Sequence, residues 1–288
     1  IRVDILHAND WQTGFLPLFL RYGIDGKGRV AREKCLYTIH NLAYQGCFPG
    51  HQFSLTNLPG DPCFRPDCAE YYGSVNSMKA GLVTADWVST VSRNYARQVM
   101  TQEYGNGLDG VLRGVRDHFS GIPNGIDTES WNPLTDKYLE KPFSAESPGN
   151  KQNCRKALQH RLDLKSDTSA PVFAMVSRLD VQKGFKLIGS VLPFLMESGA
   201  QLVILGTGSD YYQQMCRQWQ ASYPEQIRTV IGFDVELAHQ IYGGADMMLM
   251  PSLFEPCGLN QMQALRYGTI PIVHATGGLA DTIHDVTA

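Results

Sequence analysis

The chain has 288 residues, a formal net charge of −3 and 43% hydrophobic residues, which is typical of one large or two medium globular domains. This charge without a basic run argues against nucleic acid or a charged membrane surface as a partner, and no apolar stretch reaches the roughly 20 residues that span a bilayer. The seven cysteines contain no Cys-x-x-Cys pair, so we expect free thiols in a reducing compartment rather than disulfides or structural zinc.

The first half of the chain alternates strand and helix patterns with one long interruption. Four strands and three helices are predicted: strands over residues 3–7, 36–40, 87–91 and 118–121, and helices over 13–20, 74–84 and 94–102. Residues 44–71 hold four prolines and are predicted to form a surface excursion outside the sheet. The chain begins without a methionine and enters a strand almost at once, so we expect an internal piece of a longer protein with an incomplete first domain.

A turn-rich segment separates the two halves. Residues 121–127 read Gly-Ile-Pro-Asn-Gly-Ile-Asp, in which Asn-Gly is a strong turn signal and the proline stiffens the backbone. We therefore expect a hinge here, with Asn124 at it, and domains comprising residues 1–123 and 124–288.

The second half has a more regular pattern. Five apolar runs alternate with five amphipathic stretches: strands over 172–177, 202–205, 227–231, 247–250 and 270–273, and helices over 185–196, 210–219, 235–242, 259–267 and 279–284. This alternation predicts a doubly wound parallel sheet. The fold class is therefore α/β, with two Rossmann-like domains facing each other across a cleft, where ligands commonly bind.

The most informative stretch follows the fourth of these strands. Residues 254–258 read Phe-Glu-Pro-Cys-Gly and precede a predicted helix, which places Glu255 at the carboxyl end of a parallel strand, where open α/β sheets bind ligands. A helix that opens directly behind this turn would aim free backbone amides at an anion such as a phosphate. The alternative is that Glu255 is an acid of the first helical turn that interacts only with the helix dipole.

Two cations are predicted at the same edge of the sheet. Arg178 and Lys183 follow the first strand of the second domain. They would suit a diphosphate, Arg through forked hydrogen bonds and Lys as a point charge. The alternative is a solvated basic loop.

Other strand ends give weaker signals. Gly206 begins a Gly-Thr-Gly turn that lacks the third glycine of a dinucleotide-binding motif, so a plain tight turn is at least as good an explanation. Thr276 and Gly277 form another turn whose amides would approach a sugar or phosphate. Phe233 follows a strand and would either flank a nucleotide base or belong to the core.

Polar residues also close two strands of the first domain. Asp10 and His40 each follow a strand-like run and would face the cleft, with a structural role as an equal alternative. The sequence contains no nucleophile elbow, no Walker loop and no Asp-x-Asp pair for a divalent ion. We therefore expect Arg178, Lys183 and a helix N-terminus, rather than a metal, to meet the charge of a leaving group.

Together these motifs resemble those of bacterial glycogen synthases and plastid starch synthases. The resemblance covers essentially the whole chain and rests on the motifs at residues 7–11, 40–46, 107–110, 123–127, 178–184, 254–261 and 276–279. It implies the GT-B fold and a retaining transfer of glucose from ADP-glucose, or UDP-glucose in some members, to the non-reducing end of an α-1,4-glucan. It also implies that no metal or other cofactor is required and that the protein acts in a plastid stroma or, alternatively, a bacterial cytoplasm.

The resemblance implies a role for each candidate residue. Arg178 and Lys183 would bind the diphosphate, and Glu255 would lie beside the donor glucose. His40 and Asp10 would contact this glucose from the opposite domain. The implied substrate-binding positions are Asn124, Gly206, Phe233, Cys257, Gly258, Leu259, Asn260, Thr276 and Gly277.

Some features depart from the family pattern. The N-terminal Lys-x-Gly-Gly-Leu loop and the C-terminal return segment are missing, so the piece alone is expected to be impaired or inactive. Gln263 stands where many related retaining transferases carry a second glutamate. Two other functions stay open, a sugar-nucleotide epimerase of the same fold and an inactive fragment that binds glucan or nucleotide. The residues give no indication of an oligomeric state.

Overall fold

The computed structural model describes residues 3–23 and 33–286 and divides into two compact units, Ile1–Asn124 and Gly125–Ala288. The chain passes from one unit to the other between Asn124 and Gly125, and the predicted domain boundary lies one residue earlier. The outermost residues of the predicted domains, 1, 2, 287 and 288, lie outside the described residues.

The first unit is built on a parallel sheet. The strands of this unit, in that sheet and in a smaller one, are β1 (Ile5–Asn9), β2 (Lys34–Ile39), β3 (Cys47–Pro49), β4 (Glu70–Tyr71), β5 (Ser74–Asn76), β6 (Trp87–Thr90) and β7 (Phe119–Gly121). Its helices are α1 (Leu16–Tyr22), α2 (Gly60–Cys63), α3 (Ser77–Thr84), α4 (Arg93–Gln98) and α5 (Asp109–Gly114). The parallel sheet has the order β1-β2-β6-β7, which confirms the four predicted strands.

The predicted helix over residues 74–84 is wrong in its first three residues, which form β5. Asn76 ends this strand and caps α3, because its Oδ1 atom accepts a hydrogen bond from the Lys79 amide at 2.9 Å. The cap sets the helix start that the apolar pattern placed too early. Helix α5, with only six residues, was not predicted from the sequence.

The stretch over residues 44–71 lies outside the parallel sheet, as predicted, but it has its own ordered core. Strands β3, β5 and β4 form a small antiparallel sheet. Phe53 stacks on Phe64 with ring centroids 5.1 Å apart, and Cys63 and Val75 are buried beside them. Strands of two or three residues carry too short a pattern to be predicted from alternation.

The second unit contains the larger sheet. Its strands are β8 (Val172–Val176), β9 (Gln201–Gly206), β10 (Ile227–Ile231), β11 (Met247–Met250) and β12 (Ile270–Val273). Its helices are α6 (Lys151–Arg161), α7 (Phe185–Glu197), α8 (Asp210–Ser222), α9 (Val235–Gly244), α10 (Asn260–Arg266) and α11 (Gly277–Thr282). All five strands are parallel in the order β10-β9-β8-β11-β12, which confirms the predicted doubly wound sheet.

This strand order positions the site. The chain moves outward from β8 through β9 to β10, and then returns to the other side of β8 with β11 and β12. The direction of winding therefore changes between β8 and β11. In open α/β sheets, this switch point leaves a crevice at the carboxyl ends of the two strands, where ligands bind.

Helix α6 was not predicted from the sequence. It is largely polar, and its Cys154 and Leu158 pack against α9, where a side chain at Gly244 would come within 3.0 Å of both residues. So narrow an apolar face gives a weak periodic signal. Among the described residues, every helix is too short or too polar to cross a bilayer.

The ammonium group of Lys151 ties α6 to the rest of the second unit. Burial lowers the pKa of Lys151 to about 8, so the amine remains mostly protonated at neutral pH. Its Nζ atom contacts four oxygen acceptors at 2.8–3.1 Å: the carbonyl oxygens of Tyr242, Gly243 and Tyr267 and the hydroxyl of Thr269. These charge-assisted contacts join the start of α6 to the ends of α9 and α10.

Replacing Lys151 with methionine should lower the free energy of unfolding by about 2–4 kcal/mol, because buried carbonyl groups lose their donor. Lys156→Met, on the exposed side of the same helix, is the matched control and should change it by less than about 0.5 kcal/mol. Urea unfolding followed by circular dichroism measures both variants. Equal midpoints would show that the Lys151 contacts contribute nothing net.

Candidate functional site at the carboxyl edge of the second sheet

A buried ion pair joins the loops that follow β8 and β11. Lys183 Nζ donates to Glu255 Oε2 at 2.5 Å, and the two side chains are only 16% and 9% exposed. Ser252 Oγ donates to the same carboxylate oxygen at 2.9 Å. The structure therefore brings Glu255 and Lys183 together at the switch point of the sheet. Neither residue is simply solvated, so the basic-loop alternative is wrong for Lys183.

The alternative role for Glu255, as an acid of the first helical turn, is also wrong. Helix α10 begins at Asn260, one residue later than predicted and five residues after Glu255. The first turn of α10 contains no acidic residue. The environment of Glu255 is therefore set by Lys183 and Ser252 rather than by the helix dipole.

Arg178 lies in the same loop as Lys183 but is more exposed. Its side chain is 53% exposed, and its Nη1 atom lies 3.3 Å from Asp180 Oδ2. Its Nη2 atom donates to Gln182 Oε1 at 3.2 Å, and Gln182 Nε2 donates to the carbonyl oxygen of Phe254 at 3.0 Å. Arg178 is thus linked through one glutamine to the loop that carries Glu255.

Two glycines allow the loops around Glu255 to pack backbone against backbone. Gly184 has a φ of 72°, and a side chain there would come within 2.1 Å of the Pro251 carbonyl oxygen. Gly277 has a φ of 47°, and a side chain there would come within 1.9 Å of the Glu255 carbonyl oxygen. Both positions therefore require glycine for conformation and for space.

The predicted phosphate-binding turn lies between Glu255 and α10. Cys257 is buried, and Leu259 is 41% exposed. Gly258 has a φ of 72°, which lets the chain reverse before the helix. Asn260 Nδ2 donates to the carbonyl oxygen of Val176 at the end of β8 and so fixes the helix start against the neighbouring strand.

The remaining candidates of the second unit have different environments. Phe233 is 92% exposed on the loop after β10, so the core alternative for this ring is wrong. Thr276 is buried immediately before α11. Gly206 ends β9, where a side chain would come within 1.8 Å of the Ser177 carbonyl oxygen, so close packing alone already requires glycine there.

In the first unit, Asp10 and His40 lie together at the carboxyl ends of β1 and β2. Asp10 Oδ1 accepts hydrogen bonds from the amides of His40 at 2.7 Å and Asn41 at 3.4 Å. The exposed His40 ring has its Nε2 atom 2.9 Å from Asn9 Oδ1. Asn124, the other candidate of this unit, is half-exposed at its last position.

The backbone of Asp10 is strained. Its φ of 57° and ψ of −179° lie in a region that is adopted almost only by glycine and costs other residues about 1–3 kcal/mol. Strain of this kind concentrates at functional sites, where the surroundings hold it in place. The observation favours a functional role for Asp10 in addition to its contact with the amide of His40.

Sequence reasoning missed the polar residues that support the site. Ser252 and Gln182 contact the Glu255 loop directly, and Gln261 Nε2 donates to the carbonyl oxygens of Cys257 and Gly258, each at 3.0 Å. Ser252, Gln182 and Gln261 are all buried. The sequence carries no signal of this burial, since Gln182 stands next to Lys183 and Gln261 next to Asn260.

A surface cavity lies elsewhere in the second unit, between α6, α9 and residues 137–141. Among its lining residues, Arg161 is already paired with Asp234 at 3.1 Å and Glu236 at 2.6 Å. We place the candidate site at the sheet edge instead, because the switch point and the buried ion pair coincide there. All seven cysteines are free thiols, and no group of three His, Cys, Asp or Glu side chains within residues 3–23 and 33–286 is arranged to hold a metal ion.

Comparison with known proteins identifies the family. Residues 1–114 match the family described as "Starch synthase catalytic domain", and residues 158–287 match "Glycosyl transferases group 1". The chain is 46% identical to the glycogen synthase of Cellvibrio japonicus over 283 residues, which is 98% of the chain and 57% of that protein. It is also 46% identical to the glycogen synthase of Geotalea daltonii over 285 residues, which is 99% of the chain and 58% of that protein.

Two solved structures also resemble the chain. The catalytic domain of starch synthase IV from Arabidopsis thaliana, bound to ADP and acarbose, superposes with a TM-score of 0.91 at 35% identity, covering 99% of this chain and 59% of that chain. Sucrose-phosphate synthase from Thermosynechococcus elongatus superposes with a TM-score of 0.60 at 19% identity over 97% of this chain and 58% of that one, which shows the fold alone.

The fold and the two family matches place the chain in the GT-B fold class of the glycosyltransferases. More narrowly, the chain belongs to the glycogen and starch synthase family, as its motifs predicted. The chain spans 57–58% of the length of the two glycogen synthases.

Gly184→Ala should destabilise the second unit by about 2–4 kcal/mol, because it combines an unfavourable left-handed φ with a clash against Pro251. Gly199→Ala is the matched control, since Gly199 at the other end of α7 has a φ of 78° but open space around it. This control should cost only about 1 kcal/mol. Thermal unfolding of both variants measures the difference, and equal losses would contradict a tight contact between the two loops.

Proposed function

We propose that the intact protein transfers glucose from ADP-glucose to the non-reducing end of an α-1,4-glucan with retention of configuration. The observation that carries the proposal is the buried Lys183–Glu255 pair at the switch point of the second sheet. The 46% identity to bacterial glycogen synthases also supports the proposal. The ADP and acarbose bound to the Arabidopsis starch synthase IV domain support an adenine nucleotide donor and a glucan-like acceptor.

The second unit supplies positive charge for a departing diphosphate. Lys183 is held at the carboxyl edge by Glu255, so its ammonium group is in place before a ligand arrives. Arg178 is half-exposed and can turn its guanidinium group toward a phosphate. Charge that is organised in advance stabilises the bond-breaking transition state without further rearrangement. We therefore assign leaving-group stabilisation to Lys183 and Arg178.

Glu255 would stabilise the sugar rather than the phosphate. Among the described residues, the hydrogen bonds from Lys183 and Ser252 both go to its Oε2 atom. We assign the Oε1 atom to the donor glucose, where a buried carboxylate would favour the positive charge that develops on the ring. The acceptor hydroxyl would then attack C1 of the glucose from the face that the diphosphate leaves. A bond from C1 to the acceptor oxygen replaces the bond from C1 to the phosphate oxygen, the hydroxyl proton passes to the departing nucleoside diphosphate, and the configuration is retained.

The other candidates complete this proposal. We assign His40 and Asp10 to contacts with the glucose, because the His40 ring is exposed and the Asp10 backbone is strained. The proposed substrate-binding positions are Asn124, Gly206, Phe233, Cys257, Gly258, Leu259, Asn260, Thr276 and Gly277.

We also propose that the transfer requires no metal and no organic cofactor, since Arg178 and Lys183 can provide the charge that a divalent ion would otherwise supply. Seven free thiols suit a reducing compartment, which we propose to be a plastid stroma or a bacterial cytoplasm.

Lys183→Ala in the intact protein should lower kcat about 100- to 1000-fold, because the leaving group loses its organised charge. The Kd for ADP-glucose should change far less. Incorporation of labelled glucose into glycogen gives kcat, and calorimetry gives Kd.

Lys186→Ala, at the exposed second position of α7, is the control and should retain wild-type turnover. Unchanged turnover in Lys183→Ala would refute the role of this lysine. The same assay with a chelator tests the metal-free proposal, which fails if the chelator abolishes transfer by the wild-type protein.

A further inference from the structure

Tyr72 occupies a backbone position that disfavours a bulky residue. Tyr72 and Gly73 form the two-residue loop of the β4–β5 hairpin, in which Tyr71 pairs with Ser74. Their φ angles are 50° and 81°, as in a type I′ turn, where the first position favours Asn, Asp or Gly. Tyr72 is 90% exposed, so burial does little to offset this strain.

The neighbouring ring holds Tyr72 in place. Tyr71 and Tyr72 meet edge to face with centroids 4.8 Å apart and an interplanar angle of 79°. The Tyr71 hydroxyl donates to the carbonyl oxygen of Gly107 at 3.2 Å. A strained backbone and a fixed neighbour thus present one aromatic ring to solvent at the tip of a hairpin.

Uncharged polar and aromatic side chains connect this tip to the loop that carries His40. In that loop, Tyr44 is 51% exposed and its amide donates to the Asn41 carbonyl oxygen at 3.2 Å. Gln45 Nε2 donates to the carbonyl oxygen of Asn106 at 2.9 Å. Asn106 directly precedes Gly107, which contacts Tyr71.

These hydrogen bonds join the loop that carries Tyr44 and Gln45 to the β4–β5 hairpin through residues 106 and 107. We call the joined residues the aromatic strip, and they are Tyr44, Gln45, Asn106, Tyr71 and Tyr72.

We propose that the aromatic strip binds an α-glucan chain, with Tyr72 as its outermost contact. Glucose rings present an apolar C–H face that packs on aromatic rings, and hydroxyl groups that pair with amides. Tyr44 and Tyr72 offer exposed rings and Asn106 an exposed amide, while Gln45 supports the strip through its hydrogen bonds to Asn106 and Asn76. Its residues carry no charge, which suits a neutral polymer rather than a nucleic acid. The inference rests on the proposed function, because it assigns the surface that holds the polymeric acceptor.

Tyr72→Asn separates binding from folding. Asparagine suits the left-handed backbone, so the variant should unfold at a temperature equal to or higher than the wild type. Its Kd for glycogen, measured by affinity electrophoresis of the intact protein, should rise about five- to tenfold because a stacked ring is lost. Tyr72→Phe keeps the ring and should remain within about twofold of the wild-type Kd.

Wild-type affinity for glycogen in a folded Tyr72→Asn variant would overturn the assignment. An equal loss in Tyr72→Asn and Tyr72→Phe would also overturn it, because stacking would then not be the cause. Calorimetry with ADP separates the two proposals. If the wild-type protein does not bind ADP while Tyr72→Asn alone still loses glycogen affinity, the transferase proposal fails and the glucan surface stands.

Discussion

The ion pair between Lys183 and Glu255 sets the arrangement of the candidate site at the carboxyl edge of the second unit's sheet. Burying two opposite charges is unfavourable unless their geometry is good and further hydrogen bonds satisfy them. Here Lys183 Nζ and Glu255 Oε2 are 2.5 Å apart, and Ser252 supplies a second donor to the same carboxylate. The ion pair therefore requires the loops that follow β8 and β11 to approach closely. The glycines and the buried glutamine near these loops allow that approach.

Close backbone packing and a buried side-chain amide together allow the two loops to approach each other. Gly184 and Gly277 let the neighbouring loops lie against residues 251 and 255 without a side chain between them. Gln182 then links the loop after β8 to the loop after β11 through the Phe254 carbonyl oxygen. These devices fix a cation and a carboxylate before any ligand arrives, which is the condition for electrostatic stabilisation of a transition state.

Sequence patterns predicted what is local and missed what depends on tertiary partners. The strands over 247–250 and 270–273 have the predicted bounds because they are short apolar runs. The strand over 227–231 also has its predicted bounds, although Arg228 and Thr229 interrupt its apolar residues. The polar helix α6 and the small antiparallel sheet gave no comparable period. Glu255 and Lys183 stood out beside proline and glycine at strand ends, whereas Ser252 and Gln261 acquire their importance only from neighbours that the fold supplies.

Hydrogen–deuterium exchange of the intact protein with and without ADP tests most directly whether this edge of the sheet is the nucleotide site. Amide exchange should slow in residues 177–184 and 252–260, the two loops that carry the ion pair, and stay unchanged in residues 137–141 and 151–161 around the surface cavity. Slower exchange confined to the cavity, with both loops unaffected, would contradict the account.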